Sequence, residues 1–403
     1  MSKIVERFLS YVKFNTQSRD ASETQPSTPG QMVFACHLLE ELRGLGAKDL
    51  YLSPGAYVYA TLPASAGRER EPALGFLAHL DTSEDASGAN VRPSIITYLG
   101  GAVQLGRSSR KLDPTVFPEL NRLIGRKLIV TDGTTLLGAD DKIGLAVCMC
   151  LAETLLAPNA PAHPEIRLCF TPDEEIGRGT AGFEPARFGA RRAYTVDGGP
   201  VDEFENANFN AARATFEIAG VSVHPGSAKN AMINAVRVAG EILARLPVAE
   251  SPERTEGREG FFHPTGIEGS VSHAKLGCLV RDHDAAKFAA RKRRLEQIAE
   301  ELNRLYGQGV VTLTVKDQYY NMEEGVAKVP ELTANAVQAI RSVGLEPKIV
   351  AIRGGTDGAE LTRKGIPCPN LGTGGRNFHG ECEYAIVEEM EQAYRIVLWL
   401  ATH

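Results

Sequence analysis

The run Leu74-Gly75-Phe76-Leu77-Ala78-His79-Leu80 carries no polar residue before His79, then breaks into the polar turn Asp81-Thr82-Ser83. A short apolar run without alternation fits a strand covered on both faces, as in the parallel sheets of α/β proteins. The flanking sequence repeats the pattern. Residues 165–170 (EIRLCF) read as a strand ending at Thr171-Pro172-Asp173-Glu174-Glu175, and 192–196 as another ending at Asp197-Gly198-Gly199. Helical spacing fills the intervals, from about Gln31 to Leu42 and from Lys142 to Leu156. Strands alternating with helices predict an α/β fold, a mainly parallel sheet flanked by helices.

The pattern changes after about Asn210. Residues 212–219 alternate as a half-exposed strand, a helix is expected over 229–246, and 311–315 close the stretch as an edge-like strand. The α/β pattern then returns, with strands at 349–353 and 369–371 and a last helix from Val387. A chain of 403 residues exceeds what one core usually organises. The reading is therefore a domain built from 1–209 and 321–403, with an α+β lid domain inserted at 210–320.

Composition bounds the function. Hydrophobic residues make up 43% and charged residues 23%, which is globular, and a net charge of −6 argues against nucleic acid as a partner. The one basic run, Arg291-Lys292-Arg293-Arg294, falls in a helix expected over 284–306. Lys292 and Glu296 there are spaced as a surface ion pair, so a solvated face is expected. Seven scattered cysteines without a C-x-x-C pair fit reduced thiols. Glu6 and Arg7 interrupt any apolar core of a signal peptide, and no stretch approaches a membrane span, so the expected location is the cytoplasm.

The chemical residues cluster at strand ends, where open α/β sheets place their sites. Each has a plain alternative. His79 alone would be a hydrogen-bonded core histidine, and one of Asp140 and Asp141 a helix cap. Glu174-Glu175 would suit a surface turn, and Asp197 and His379 would be loop residues. Together they make a mixed nitrogen and oxygen donor set larger than the three protein ligands of one catalytic zinc. Two divalent metals, Zn²⁺ or else Co²⁺ or Mn²⁺, bridged by a carboxylate, fit it better.

At these residues the chain resembles peptidase T, the tripeptide aminopeptidase branch of the co-catalytic zinc peptidases. The likeness runs through GFLAHLDTS at His79, LLGADDKIG at Asp140, FTPDEEIGRG at Glu174 and AYTVDGG at Asp197. It continues through VHPGSAKNAMINA at His224, RDHD at Arg281, YYNM at Tyr319, IRGGTDGA at Arg353 and CPNLGTGG at Cys368, to NFHG at His379. The resemblance implies that Asp140 bridges two zinc ions, with His79 and Asp197 completing one site and Glu175 and His379 the other. It implies Glu174 as general base, Asp81 as the residue orienting His79, and a cis peptide between Asp140 and Asp141. Asp141 is the middle residue of D-x-K and is not counted as a ligand. His224 is implied to donate to the carbonyl oxygen as charge develops. Arg281 and Arg353 are candidates for the terminal carboxylate of a small peptide substrate. In dimeric relatives the histidine reaches the partner's site, which leaves open a homodimer through the lid domain. The rival readings are a sister di-zinc hydrolase, such as a dipeptidase or an N-acyl amino acid deacylase, and a non-catalytic metal-binding protein.

Overall fold

The structure, a computed structural model, describes residues 1–403. The chain forms two compact units, one of residues 1–206, 324–350 and 356–403, the other of 207–323 with 351–355. The second unit thus includes the short segment Ala351–Gly355, which the sequence reading assigns elsewhere.

The first unit is organised by an eight-stranded sheet. Its strands, numbered along the chain, are β1 (Lys48–Leu52), β2 (Val58–Leu62), β3 (Leu74–His79), β4 (Ile166–Thr171), β5 (Ala193–Thr195), β6 (Glu203–Asn208), β7 (Lys348–Ile352) and β8 (Asn370–Leu371), in the order β1-β2-β4-β3-β5-β8-β6-β7. Parallel pairing joins β4, β3, β5 and β8, whereas β1 with β2, β2 with β4, and β6 with β8 are antiparallel. The sheet is therefore mixed rather than mainly parallel. The β1–β2 hairpin closes through a short turn and adds an antiparallel edge, which the apolar pattern of the central strands could not reveal.

All six residues of β3 are buried. Leu74, Phe76 and Ala78 join the main core with the helix Ala139–Leu155, while Leu77 joins a second cluster with Cys169, Tyr57 and Phe188. Alternate side chains thus enter cores on opposite faces, as the unbroken apolar run requires. In register, Leu77 lies beside Cys169 of β4 and Thr195 of β5, so these parallel strands end together. The helix Ala139–Leu155 is buried on nearly every side. Its backbone is not helical at Asp140 and Asp141, so regular helix begins at Lys142, the expected start.

The second unit is a four-stranded antiparallel sheet in the order Phe261–Gly269, His273–Asp282, Asn210–Ala219, Val311–Tyr319. Ala212, Ala214, Phe216 and Ile218 alternate into a core shared with the helices Ala235–Arg245 and Ala285–Tyr306. The first helix starts six residues later than its periodicity suggests, because the Asn234 side chain accepts the Arg237 amide and caps it there.

One buried clasp fixes the turn after β4. Asp173, at φ +57°, is fully buried. Its carboxylate accepts the Ser27 amide and hydroxyl and the Gln31 side-chain amide at 2.6 Å, while its own amide donates to Gln31. Asp173→Ala leaves those donors unpaired in the interior and places alanine in a left-handed conformation. Urea unfolding is expected to show a loss of about 2–4 kcal/mol. Asp173→Asn keeps an acceptor and should lose clearly less; equal losses in the two variants would mean the clasp does not hold the turn.

Candidate metal centre

Three neighbouring strand ends and two loops build the centre. β3 ends at His79, β4 leads through the Asp173 turn to Glu174 and Glu175, and β5 leads to Asp197. Asp140 comes from the start of the buried helix, and its peptide bond to Asp141 is cis. His379 comes from the loop 377–383, at φ +66°, a conformation uncommon outside glycine.

The donors converge. His79 Nε2 lies 2.8 Å from Asp140 Oδ1 and 3.8 Å from Asp197 Oδ1. His379 Nε2 lies 3.5 Å from Asp140 Oδ2 and 2.9 Å from Glu175 Oε2. The two oxygens of Asp140 therefore face two different histidines, each with a second carboxylate beside it. His79 is 2% exposed, whereas the side chain of His379 is 42% exposed.

Asp81 ties two of these elements together. Its carboxylate oxygens accept the amides of Glu174 at 2.9 Å and Glu175 at 3.1 Å, and its backbone oxygen lies 3.0 Å from His79 Nδ1. That contact fixes the imidazole with Nε2 toward Asp140. Asp141 has both oxygens on backbone amides, those of His79 and Gly144, each at 3.1 Å. Gly144 has to be glycine here, since a Cβ would stand 1.9 Å from the Val196 carbonyl oxygen.

Sequence reasoning missed the supports. Glu383, fully buried, accepts the amides of Leu137, Gly138 and Asp140 and so holds the loop that delivers Asp140. Asp85 stands 3.4 Å from His379 Nδ1. Neither lies at a strand end or in a periodic pattern, so no local signal marks them. Of the other candidates, His224, Arg281 and Arg353 belong to the second unit. His224 is exposed, with Nδ1 accepting the Gly226 amide. Arg281 is buried against the carbonyls of Ala212 and Val280 and the Tyr319 ring. Arg353 donates to the carbonyls of Gly257 and Glu259 and to Thr255.

So much buried negative charge tests whether cations fit. Burial, with the neighbouring acids, pushes Glu174 and Asp197 well above the carboxylate range and Glu175 up to about 7. Burial opposes charge on His79, yet Asp197, Asp140 and Asp81 raise it well above the imidazole range. Hydrogen bonds to Asp140 and Glu175 raise His379 to about 11. Glu175 Oε1 is buried without a partner. A centre that draws in protons this strongly and leaves a buried oxygen unpaired is a donor set suited to divalent cations. The groupings His79, Asp140, Glu175 and His79, Asp141, Asp197 each bring ligand atoms within 4.8 Å of one another. Asp141 in the second is already occupied by two amides.

Peptidase T of Halothermothrix orenii is 48% identical over 400 residues, covering 99% of this chain and 98% of its own. The chain belongs to the peptidase T family. It is accordingly a peptide hydrolase with the M20 peptidase fold. A tripeptidase from Staphylococcus aureus has this architecture at a TM-score of 0.79 and 21% identity, covering 99% of this chain and 97% of that one. A dinuclear metal-binding M20 peptidase from Bacillus subtilis follows at 0.65 and 15%, covering 99% and 96%. The peptidase dimerisation domain family matches residues 206–310. No helix is long and apolar enough to cross a membrane.

The charge crowding sets a pH dependence. Burial is the largest cause that raises Glu175, Glu205 and Glu383 to about 7, against 4.5 for an unperturbed side chain. Between those values the folded chain keeps protons that the unfolded chain has released, so stability falls as pH rises from 4.5 through 7. His379, raised from 6.5 to about 11, contributes stability that is complete below 6.5 and wanes above it, in the same direction. Above about pH 7 buried Lys142, lowered to about 7 by that burial, acts in the opposite direction. The melting temperature of chelator-treated peptidase should fall between about pH 5 and 7, and excess Zn²⁺ should shrink that fall by replacing the protons. A metal-free melting temperature that is flat or rising over this range would contradict the assignment.

Proposed function

We propose that this peptidase is a cytoplasmic two-zinc aminopeptidase that releases the N-terminal residue of tripeptides. His79, Asp140 and Asp197 would hold one ion, and Asp140, Glu175 and His379 the other. The observation that carries the reading is the Asp140 carboxylate, with one oxygen toward His79 and the other toward His379. Bound there, the ions would supply Lewis acidity toward a carbonyl and a lowered pKa for water.

The chain's own residues have distinct tasks. Glu174 is held by its backbone to Asp81, and no side-chain hydrogen bond commits its carboxylate. It takes the proton of the attacking water and delivers it to the leaving amine. Its burial, which raises its pKa, suits a group that must both accept and return a proton. Asp81 keeps His79 and the Glu174–Glu175 turn in fixed relation. His224, whose Nε2 is free of its capping contact, donates to the developing oxyanion. Arg281 receives the peptide's terminal carboxylate: it is a buried cation whose partners are two carbonyls and Tyr319, through its ring and a side-chain hydrogen bond, with no carboxylate of its own. Arg353, already on three oxygens, is the second candidate. The match of 206–310 to a dimerisation domain supports a homodimer formed through that unit.

Two measurements test the division of labour. Glu174→Gln should keep its zinc while turnover falls by about 100-fold or more, and Glu175→Ala should instead lose zinc. Equal zinc loss in both would sink the assignment of Glu174 as base. Amidating the C-terminus of a good tripeptide should lower kcat/KM by about 30-fold or more, and Arg281→Ala should erase that difference. Equal cleavage of amidated and free tripeptides by the unsubstituted enzyme would remove Arg281 from the carboxylate.

A further inference from the structure

An enzyme that works from the amino end has to hold a free ammonium, and this requires a carboxylate that no other group has claimed. Apart from Glu174, Glu175, Asp140 and Asp197, to which the reading above gives the base and metal roles, the acids around the centre sort on that criterion. Asp81 has its oxygens on the amides of Glu174 and Glu175, and Asp141 on those of His79 and Gly144. Glu383 is committed to the loop of Leu137, Gly138 and Asp140. Asp85 takes the Ser83 hydroxyl and stands beside His379. Asp357 is sealed in: its carboxylate presses on Gly179, where a Cβ would lie 2.0 Å from Oδ1, and Oδ2 is buried without a partner.

Glu205 differs. It is 8% exposed, and Oε2 accepts the Asn370 side-chain amide at 3.0 Å, but Oε1 accepts no hydrogen bond. The orientation of Asn370 is fixed, because its Oδ1 already takes the hydroxyls of Thr195 and Thr356. Only its NH₂ is left to face Glu205, which is therefore held as an acceptor. Oε1 lies beside the turn that carries Asp197: a Cβ on Gly198 would be 3.5 Å from it. The same Cβ would stand 3.2 Å from the Leu371 carbonyl oxygen and 3.4 Å from Gly372 Cα, so the Asp197–Gly198 turn packs closely beside Oε1.

We infer that Glu205, through Oε1, receives the N-terminal ammonium of the peptide substrate. This rests on the aminopeptidase reading above. The ammonium sits against the Asp197–Gly198 turn, with Asn370 holding the far oxygen so that the near one stays aimed. Glu205 is thus a substrate-binding residue that selects a charged amino end over a blocked one.

The test uses the zinc-loaded enzyme and two hydrolysis-inert ligands, a phosphinic tripeptide isostere with a free amine and its desamino counterpart. Calorimetry on the unsubstituted enzyme should find the amine form bound between about 10- and 100-fold more tightly, the range for a hydrogen bond to a charged group. Glu205→Gln keeps the Asn370 contact but turns the open acceptor into a donor. It should collapse that preference while leaving desamino binding and zinc content unchanged. Glu205→Asp withdraws the charge without abolishing it and should keep an intermediate preference, which gives a second reading if the glutamine variant folds poorly. Equal weakening of both ligands in the variants, or a preference that survives in Glu205→Gln, overturns the assignment. Failure of the unsubstituted enzyme to hydrolyse tripeptides would refute the activity reading instead, and the binding comparison would still decide Glu205.

Discussion

Mutual repulsion among carboxylates gathered at the ends of three strands is the constraint to which the rest of the first unit answers. Asp140, Glu174, Glu175 and Asp197 are brought together with Asp81, Asp141 and Glu383 close behind. In a medium less polarisable than water, such a group stays ionised only if every oxygen is met by a hydrogen-bond donor or a cation. The supporting acids are met by backbone amides. Those amides belong to the segments that carry the front acids, so each neutralising bond also fixes a position. The front acids have few amides, and what faces them is imidazole. Electrostatic need and geometric precision are met by the same bonds.

Much of this was legible in the sequence, and the legible part has a common cause. A strand covered on both faces must be apolar along its whole length, so its end is marked by the first polar residue. His79 announces itself that way, and Glu174, Glu175 and Asp197 follow within four residues of Thr171 and Thr195, which close their strands. Asp140 is marked by the glycine before it and the apolar helix after it. The edges of the sheet were less visible. The β1–β2 hairpin and the antiparallel β6 depend on which strands pair, and pairing leaves no trace in the composition of either partner. The late start of the helix at Ala235 shows a local rule prevailing over periodicity, since a capping asparagine fixed the boundary.

The supports were illegible for a different reason. Asp173, Glu205, Glu383 and Asn370 act through residues far away in the chain, up to 246 positions in the case of Glu383 and Leu137. A buried acid that meets backbone amides has no characteristic spacing, because its partners are defined by the fold and not by neighbours. Arg281 is a related case. Its residue type was noticed, but only its surroundings of carbonyls and an aromatic ring distinguish it from an ordinary surface cation.

The contrast between the two histidines has a consequence in time. His79 is enclosed by β3 and its neighbours, whereas His379 stands on a loop with its side chain 42% exposed. If each holds an ion, the two have unequal lifetimes: one leaves only when the sheet end opens, the other when a surface loop swings away. The inner position would keep whatever ion was present as the chain folded. The outer one would equilibrate with the free divalent ions of its surroundings, so an enzyme loaded at both positions would hold one slowly and one rapidly exchanging metal.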